Sequence, residues 1–297
     1  MPFHHVVALL VAVAPAAQEA KPAPKPAPKS AVVRVVLTTK VDGKAVPRLD
    51  RDGKDTGARR WTDRVVEWRI GDKTFTKVDD VERELTRIRK EPTSMRDDPL
   101  QPGQKTLLPF VVDASPDTRW GEILRCWDAA MASGFEEWSP AGVDITYLTP
   151  KSVDEPVSGG GALVVPQAVF NVPDDNPDSE RPTFEVQQDG SIVRDDEVLF
   201  RWQAGKEDDF SALSKDLRGF RARMEAAGRM KKRKGDVRAR IDVPVLIRAD
   251  KWCEWRDVRR LLLCLLDPEY GIWKLEVAVA EVEMEVDPAA KKAEKGR

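Results

Sequence analysis

Histidine is almost missing from this chain: the only two, His4 and His5, stand ahead of an apolar run at the N-terminus. Once that segment is removed as a leader, no imidazole remains. Ser-His-Asp and Cys-His nucleophile pairs, histidine zinc sites and imidazole acid–base chemistry are excluded together. Cysteine is scarce too. Cys126, Cys253 and Cys264 show neither the CxxC spacing of a zinc or redox centre nor the even number of a disulfide framework. In an exported protein one of them must stay unpaired. Cys126 and Cys264, each set in an apolar helical pattern, are expected as small core residues. Net charge is also missing, because 49 basic residues face 51 acidic ones and no overall field draws in nucleic acid or acidic lipid. No carboxylate pair stands in a supporting motif, so a carboxylate-based hydrolase ranks last among three readings. The expectation is a non-enzymatic protein with no catalytic residues, no cofactor and no metal.

The apolar run Val6–Ala17 has 12 residues, short of the roughly 20 that cross a bilayer. Ala14-Pro15-Ala16 within it fits a leader-peptidase site, although the preceding residues lack the usual Lys or Arg. Residues 1–17 therefore read as a signal peptide, and as a membrane anchor if they are retained. Residues 18–30 contain Lys21-Pro22-Ala23-Pro24-Lys25-Pro26-Ala27-Pro28-Lys29, whose alternating prolines favour an extended polyproline II spacer. At the other end, residues 288–297 are rich in Lys, Ala and Glu and read as a disordered tail. A length of 297 residues leaves room for two ordinary domains between them.

An internal repeat supplies those two domains. Leu108-Pro109-Phe110-Val111-Val112-Asp113-Ala114 leads through a polar turn to Trp120 and an amphipathic helix over Trp120–Ser133. Val243-Pro244-Val245-Leu246-Ile247-Arg248-Ala249 leads through a similar turn to Trp255 and a helix over Trp255–Leu266. Each helix is expected to end at a left-handed glycine, Gly134 or Gly271, before a last strand. Upstream, a strand over Val32–Thr39, a second over Val65–Ile70 and a helix over Val78–Arg89 correspond to Thr183–Val186, Ser191–Val193 and a helix from about Asp209 to Ala227. The turn Asp189-Gly190 is a good hairpin signal. The spacing predicts an α+β fold. It has a first domain over 31–148, a linker with an extra strand over 149–182 and a second domain over 183–287, each a small mixed sheet with two helices on one face.

Val245-Leu246-Ile247-Arg248-Ala249-Asp250, the aromatic Trp255 and the helix leading to Gly271-Ile272 resemble the periplasmic domain of ExbD/TolR proteins. Phe110 to Phe135 is a looser second match, with Asp113-Ala114-Ser115 in place of the Arg-Ala-Asp triplet. The resemblance implies two tandem ExbD/TolR-like domains that bind a partner in the periplasm or cell envelope, in proton-gradient-driven biopolymer transport. The implied partner is an ExbB/TolQ-type complex, another domain of the same kind meeting it at sheet edges, or a second copy in a homodimer. Family members carry an aspartate in an N-terminal membrane helix. Val6–Ala17 has no acidic residue to inherit that role, so the alternative reading, an anchored subunit of an inner-membrane transport complex, departs from the family pattern.

Six residues are candidates for partner binding, each with a plainer reading beside it. Arg248 and Asp250 form either a recognition pair or a helix cap with a local salt bridge, and Asp113 occupies the matching place. Trp120 and Trp255 are either interface anchors or core residues, and Trp252 is the tryptophan expected to be exposed. The basic run Arg229–Lys234 reads as a solvated insertion or a contact for an anionic envelope surface, not a nucleic-acid site. Asp174, Asp175, Asp178 and Glu180 lack the Gly and terminal Glu of an EF-hand loop and read as linker.

Overall fold

A computed structural model describes residues 32–281 apart from 50–53, 99–100, 144, 146, 154–162, 176, 204–206 and 233–237. The expected signal peptide, spacer, tail and Gly-rich stretch Ser158–Gly161 lie outside the described residues, as do Arg233 and Lys234 of the basic run. The first half runs β1 (Val33–Leu49), β2 (Asp55–Ile70), β3 (Lys73–Phe75), α1 (Val78–Arg89), the hairpin β4 (Met95–Asp97) and β5 (Lys105–Leu107), β6 (Phe110–Ala114), α2 (Trp120–Ala132) and β7 (Trp138–Pro140). After β8 (Tyr147–Ser152), β9 (Gln167–Ala168) and β10 (Val172–Pro173), the second half runs β11 (Thr183–Val186), β12 (Ile192–Arg194), β13 (Glu197–Phe200) and α3 (Ser211–Ala226). It ends with the hairpin β14 (Met230–Lys231) and β15 (Arg240–Ile241), then β16 (Val245–Ala249), α4 (Trp255–Leu265) and β17 (Lys274–Glu281).

The two sheets repeat one another. Strands lie in the order β3-β2-β1-β6-β7 in one, and the other runs β13-β12-β11-β16-β17 before continuing into β8 and β10, with β9 also on β17. In both, the first strand pairs antiparallel with the second and parallel with the one after the helix, which in turn pairs parallel with the last. This is the α+β class, with three strands ahead of each first helix where the sequence suggested two. The central parallel strand β16 is covered along most of its length and reads as an apolar run, whereas β6 buries Phe110 and Val112 and leaves Asp113 at the surface. Val245, Leu246, Ile247 and Ala249 are all buried. The helices contribute stripes such as Val258, Leu261, Leu262 and Leu265 to that core.

The described residues belong to one compact unit. The boundary expected at 148 and 149 falls inside β8, which pairs with β17 along its whole length, and the expected linker also contributes the two-residue strands β9 and β10. In the first half, β1 and β2 pair from Val35 and Ile70 out to Leu49 and Asp55, whereas β6 follows β1 only to Leu37. Beyond Leu37, β1 and β2 continue as a two-stranded ribbon, whose base includes Arg64. Register shifts between Asp42 and Ala45 and beside Pro47 let the strand pass residues that in a central strand would end it. Among the described residues, no helix is long and apolar enough to cross a membrane.

Helix α2 ends in a Schellman motif: Phe135 N–H reaches Ala130 O at 2.9 Å, Gly134 N–H reaches Met131 O at 2.8 Å, and Gly134 has φ 84°. Gly271 is also left-handed, but α4 stops at Leu265 and a turn through Asp267 and Tyr270 intervenes, which corrects the expected helix end. At the β11–β12 turn Gly190 has φ 84°, and a Cβ there would stand 2.8 Å from the buried Asp257 carboxyl carbon. Gly190→Ala is expected to cost about 2–3 kcal/mol, left-handed strain plus displacement of the ion-paired Asp257 carboxylate, measured by urea unfolding. A cost below about 0.5 kcal/mol would mean the turn shifts freely.

Glu84 ties α1 to the sheet. Its buried carboxylate accepts from Arg87 at 2.7 Å and from Lys73 of β3 at 2.9 Å. Arg87, then Lys73, hold its pKa down from 4.5 to about 2 against the opposing effect of burial. Because the folded value is the lower one, this stabilisation is complete above about pH 4.5 and is lost as pH falls towards 2. Glu84→Gln is expected to flatten the acid limb of stability across that window. Parallel acid limbs for the two proteins, read as urea midpoints at stepped pH, would remove Glu84 from the account.

Candidate functional site

Strands β6 and β16 end at Ala114 and Ala249, and the turns that follow meet each other across the molecule. A helix begins with N–H groups that have no partner within it, and they need acceptors. Neither N-cap, Arg119 or Glu254, supplies a side-chain bond. Each helix instead takes backbone acceptors from the other half. Trp120 N–H reaches Cys253 O at 2.9 Å and Trp255 N–H reaches Thr118 O at 2.7 Å. Gly121 N–H reaches Lys251 O at 3.2 Å and Arg256 N–H reaches Pro116 O at 3.1 Å. Trp120 matches Trp255, Thr118 matches Cys253, Gly121 matches Arg256 and Pro116 matches Lys251, so the bonds are reciprocal, as across a twofold axis. The indoles of Trp120 and Trp255 stack on that axis with centroids 6.0 Å apart and planes 12° apart.

An ion network locks the same junction. Arg64 of β2 donates to Asp117 O and to the Glu254 carboxylate, and the two side chains are only 3% and 5% exposed. Glu254 also takes Arg256 at 2.7 Å, and the buried Asp257 takes Arg260 at 3.1 Å. Arg260 in turn reaches Asp208 at 3.0 Å. Charges this deep are tolerable because each has a partner.

The six candidate residues all lie on or next to these turns, with different roles. Trp120 and Trp255 are buried, so they are anchors between the two halves of this chain. Asp250 is 1% exposed and accepts from Trp252 N–H at 2.8 Å and Val164 N–H at 3.0 Å, which makes it the cap that shapes the loop, not a surface recognition group. Arg248 is half-buried in the ladder opposite Glu185. Asp113 is a surface residue held by Arg34 at 2.7 Å. Trp252 is 41% exposed, with the Arg119 guanidinium 4.5 Å and the Lys251 ammonium 5.1 Å from its ring.

Other features flagged in the sequence are bound into the structure. Arg229, at the start of the basic run, pairs with Asp178 and Glu180, and Arg181 pairs with Asp174 at 2.6 Å and Glu276 at 2.7 Å, so the acidic stretch serves as a set of ion-pair partners. Cys126, Cys253 and Cys264 form no disulfide among the described residues. Burial raises the pKa of the Cys126 thiol and pushes that of Cys264 up to about 11, so neither is a thiolate at neutral pH. Arg64 and Glu254, the buried pair at the centre, carried no local signal in the sequence. No family model, curated protein or solved structure matches the chain.

Proposed function

We propose that the chain is a non-enzymatic binding module of the ExbD/TolR type that works in the periplasm or cell envelope, where it engages a component of a proton-gradient-driven transport assembly. The observation that carries this reading is the duplicated topology, β3-β2-β1-β6-β7 against β13-β12-β11-β16-β17, combined with the family-like run from Val245 to Ile272 in the second copy. The site chemistry agrees with it. The buried carboxylates at the junction are held by arginines and backbone N–H groups, an arrangement suited to holding a shape. Two halves that cap each other's helices present one fixed surface to a partner.

The test is cross-linking of a tagged full-length chain in its native cells, followed by fractionation and mass spectrometry. The expected result is recovery from the envelope, linked to an ExbB/TolQ-type or another ExbD/TolR-like protein. A cytosolic chain with no envelope partner would overturn the reading. Intact mass of the recovered protein adds a second result. A loss of roughly the first 16 to 20 residues identifies a cleaved leader, and a full-length mass in the membrane fraction identifies the anchored subunit.

A further inference from the structure

Two grooves flank the stacked tryptophans and share three matching positions of the two halves, Pro116 with Lys251, Arg256 with Gly121 and Arg260 with Arg125. One, a cavity of about 300 Å³, is bordered by Asp113, Pro116, Arg256, Arg259 and Arg260. The other, of about 270 Å³, is bordered by Arg119, Glu122, Arg125, Lys251 and Trp252. Arg125 and Arg260 hold the same helix position, and each pairs with the carboxylate three residues before it, Glu122 at 3.2 Å and Asp257 at 3.1 Å. There the likeness ends. Arg260 receives a further carboxylate from Asp208, carried in on the segment that leads to α3. Among the described residues Arg125 has no carboxylate but Glu122, and Lys251 has none. A second divergence lies at the two N-cap positions. Glu254 is consumed by Arg64, whereas the matching Arg119 borders the second groove and packs over Trp252.

The first groove thus displays, inside this chain, what completes an arginine at this position: a carboxylate delivered by a separate stretch of polypeptide. We propose that the second groove binds an acidic segment of a partner polypeptide, with its carboxylates paired to Arg125 and Lys251 and its apolar side chains laid on Trp252 and Val164. Trp252 and Val164 are each 41% exposed and give an amphipathic peptide apolar surface that a bare phosphate would not use. With 49 basic and 51 acidic residues the chain has no general polyanion field, so the attraction is local. The inference stands on the two grooves and holds in whichever compartment the protein works.

Calorimetric titration of the full-length protein tests it in vitro, with an acetylated hexapeptide of alternating Glu and Leu as probe. Its Gln-for-Glu counterpart and inorganic phosphate are the other arms. The acidic peptide is expected to bind, to lose about tenfold in affinity in Lys251→Glu and in Arg125→Glu, and to be unaffected by Arg259→Glu, which borders the other groove. The Gln peptide and phosphate are expected not to compete. No binding of the acidic peptide would overturn the proposal, as would an equal loss in Arg259→Glu or displacement by phosphate, since these would reveal diffuse attraction or a phosphate site. Should a charge reversal unfold the protein by circular dichroism, Lys251→Met removes the same charge and must still weaken binding.

Discussion

Trp255→Ala is expected to lower the unfolding free energy by about 3–5 kcal/mol, at the upper end of what a single core truncation does. The side chain is 3% exposed, so its removal leaves a cavity between the two halves. It also strips Trp120 of its stacking partner at 6.0 Å. Aromatic pairs contribute about 0.5–1.5 kcal/mol beyond the area they bury, and a double-mutant cycle with Trp120→Ala isolates that part. Far-ultraviolet circular dichroism is the right readout, because fluorescence would change with the loss of the indole itself. Trp255→Phe, which keeps a ring in place, is expected to lose less and remains measurable if the alanine variant does not fold. A loss below about 1 kcal/mol in Trp255→Ala would mean that the halves hold together without the stack.

The second large effect is expected from Arg64→Ala, at about 3 kcal/mol. Removing one partner of a buried ion pair leaves the other as an uncompensated charge, which is worse than never having had the pair. The value sits at the low end of the usual range because Glu254 keeps Arg256 at 2.7 Å. The same substitution also removes the donor to Asp117 O, so a bond that fixes the turn before α2 is lost with the charge. Arg64→Met combined with Glu254→Gln removes the charge from both sides and is expected to recover more than half of the loss. If the double variant is as unstable as the sum of the two single ones, the pair is not coupled and the network does not lock the junction.

The elements nearest the junction were the most legible. Helix α1 falls on the expected Val78–Arg89, and α2 and α4 begin at Trp120 and Trp255 as the apolar spacing predicts. Strands β3 and β13 were not legible, being only 3 and 4 residues long. The turn into β13 also lacks the glycine that normally announces a hairpin: Asp195 and Asp196 both adopt positive φ, 48° and 64°, conformations that aspartate enters at some strain. The tryptophans show a deeper limit. Periodicity marks Trp120 and Trp255 as buried, yet a residue buried within one half and one buried between two halves leave the same pattern. Arg64 and Glu254 lie 190 positions apart, and only the completed fold brings them together.

The position of the last strand has a consequence for the order of events when the protein is made. β17, Lys274–Glu281, lies inside the second sheet, between β16 and β8, and also pairs with β9. β16 can already pair with β11 and β8 with β10, but the place between β16 and β8 stays unfilled until residues 274–281 have been made, and pairings of such long range form slowly. A chain shortened before Lys274 is expected to remain open at that point. Until β17 is made, β16 and β8 each keep one edge unpaired, and the second sheet is joined across that gap only when residues 274–281 arrive.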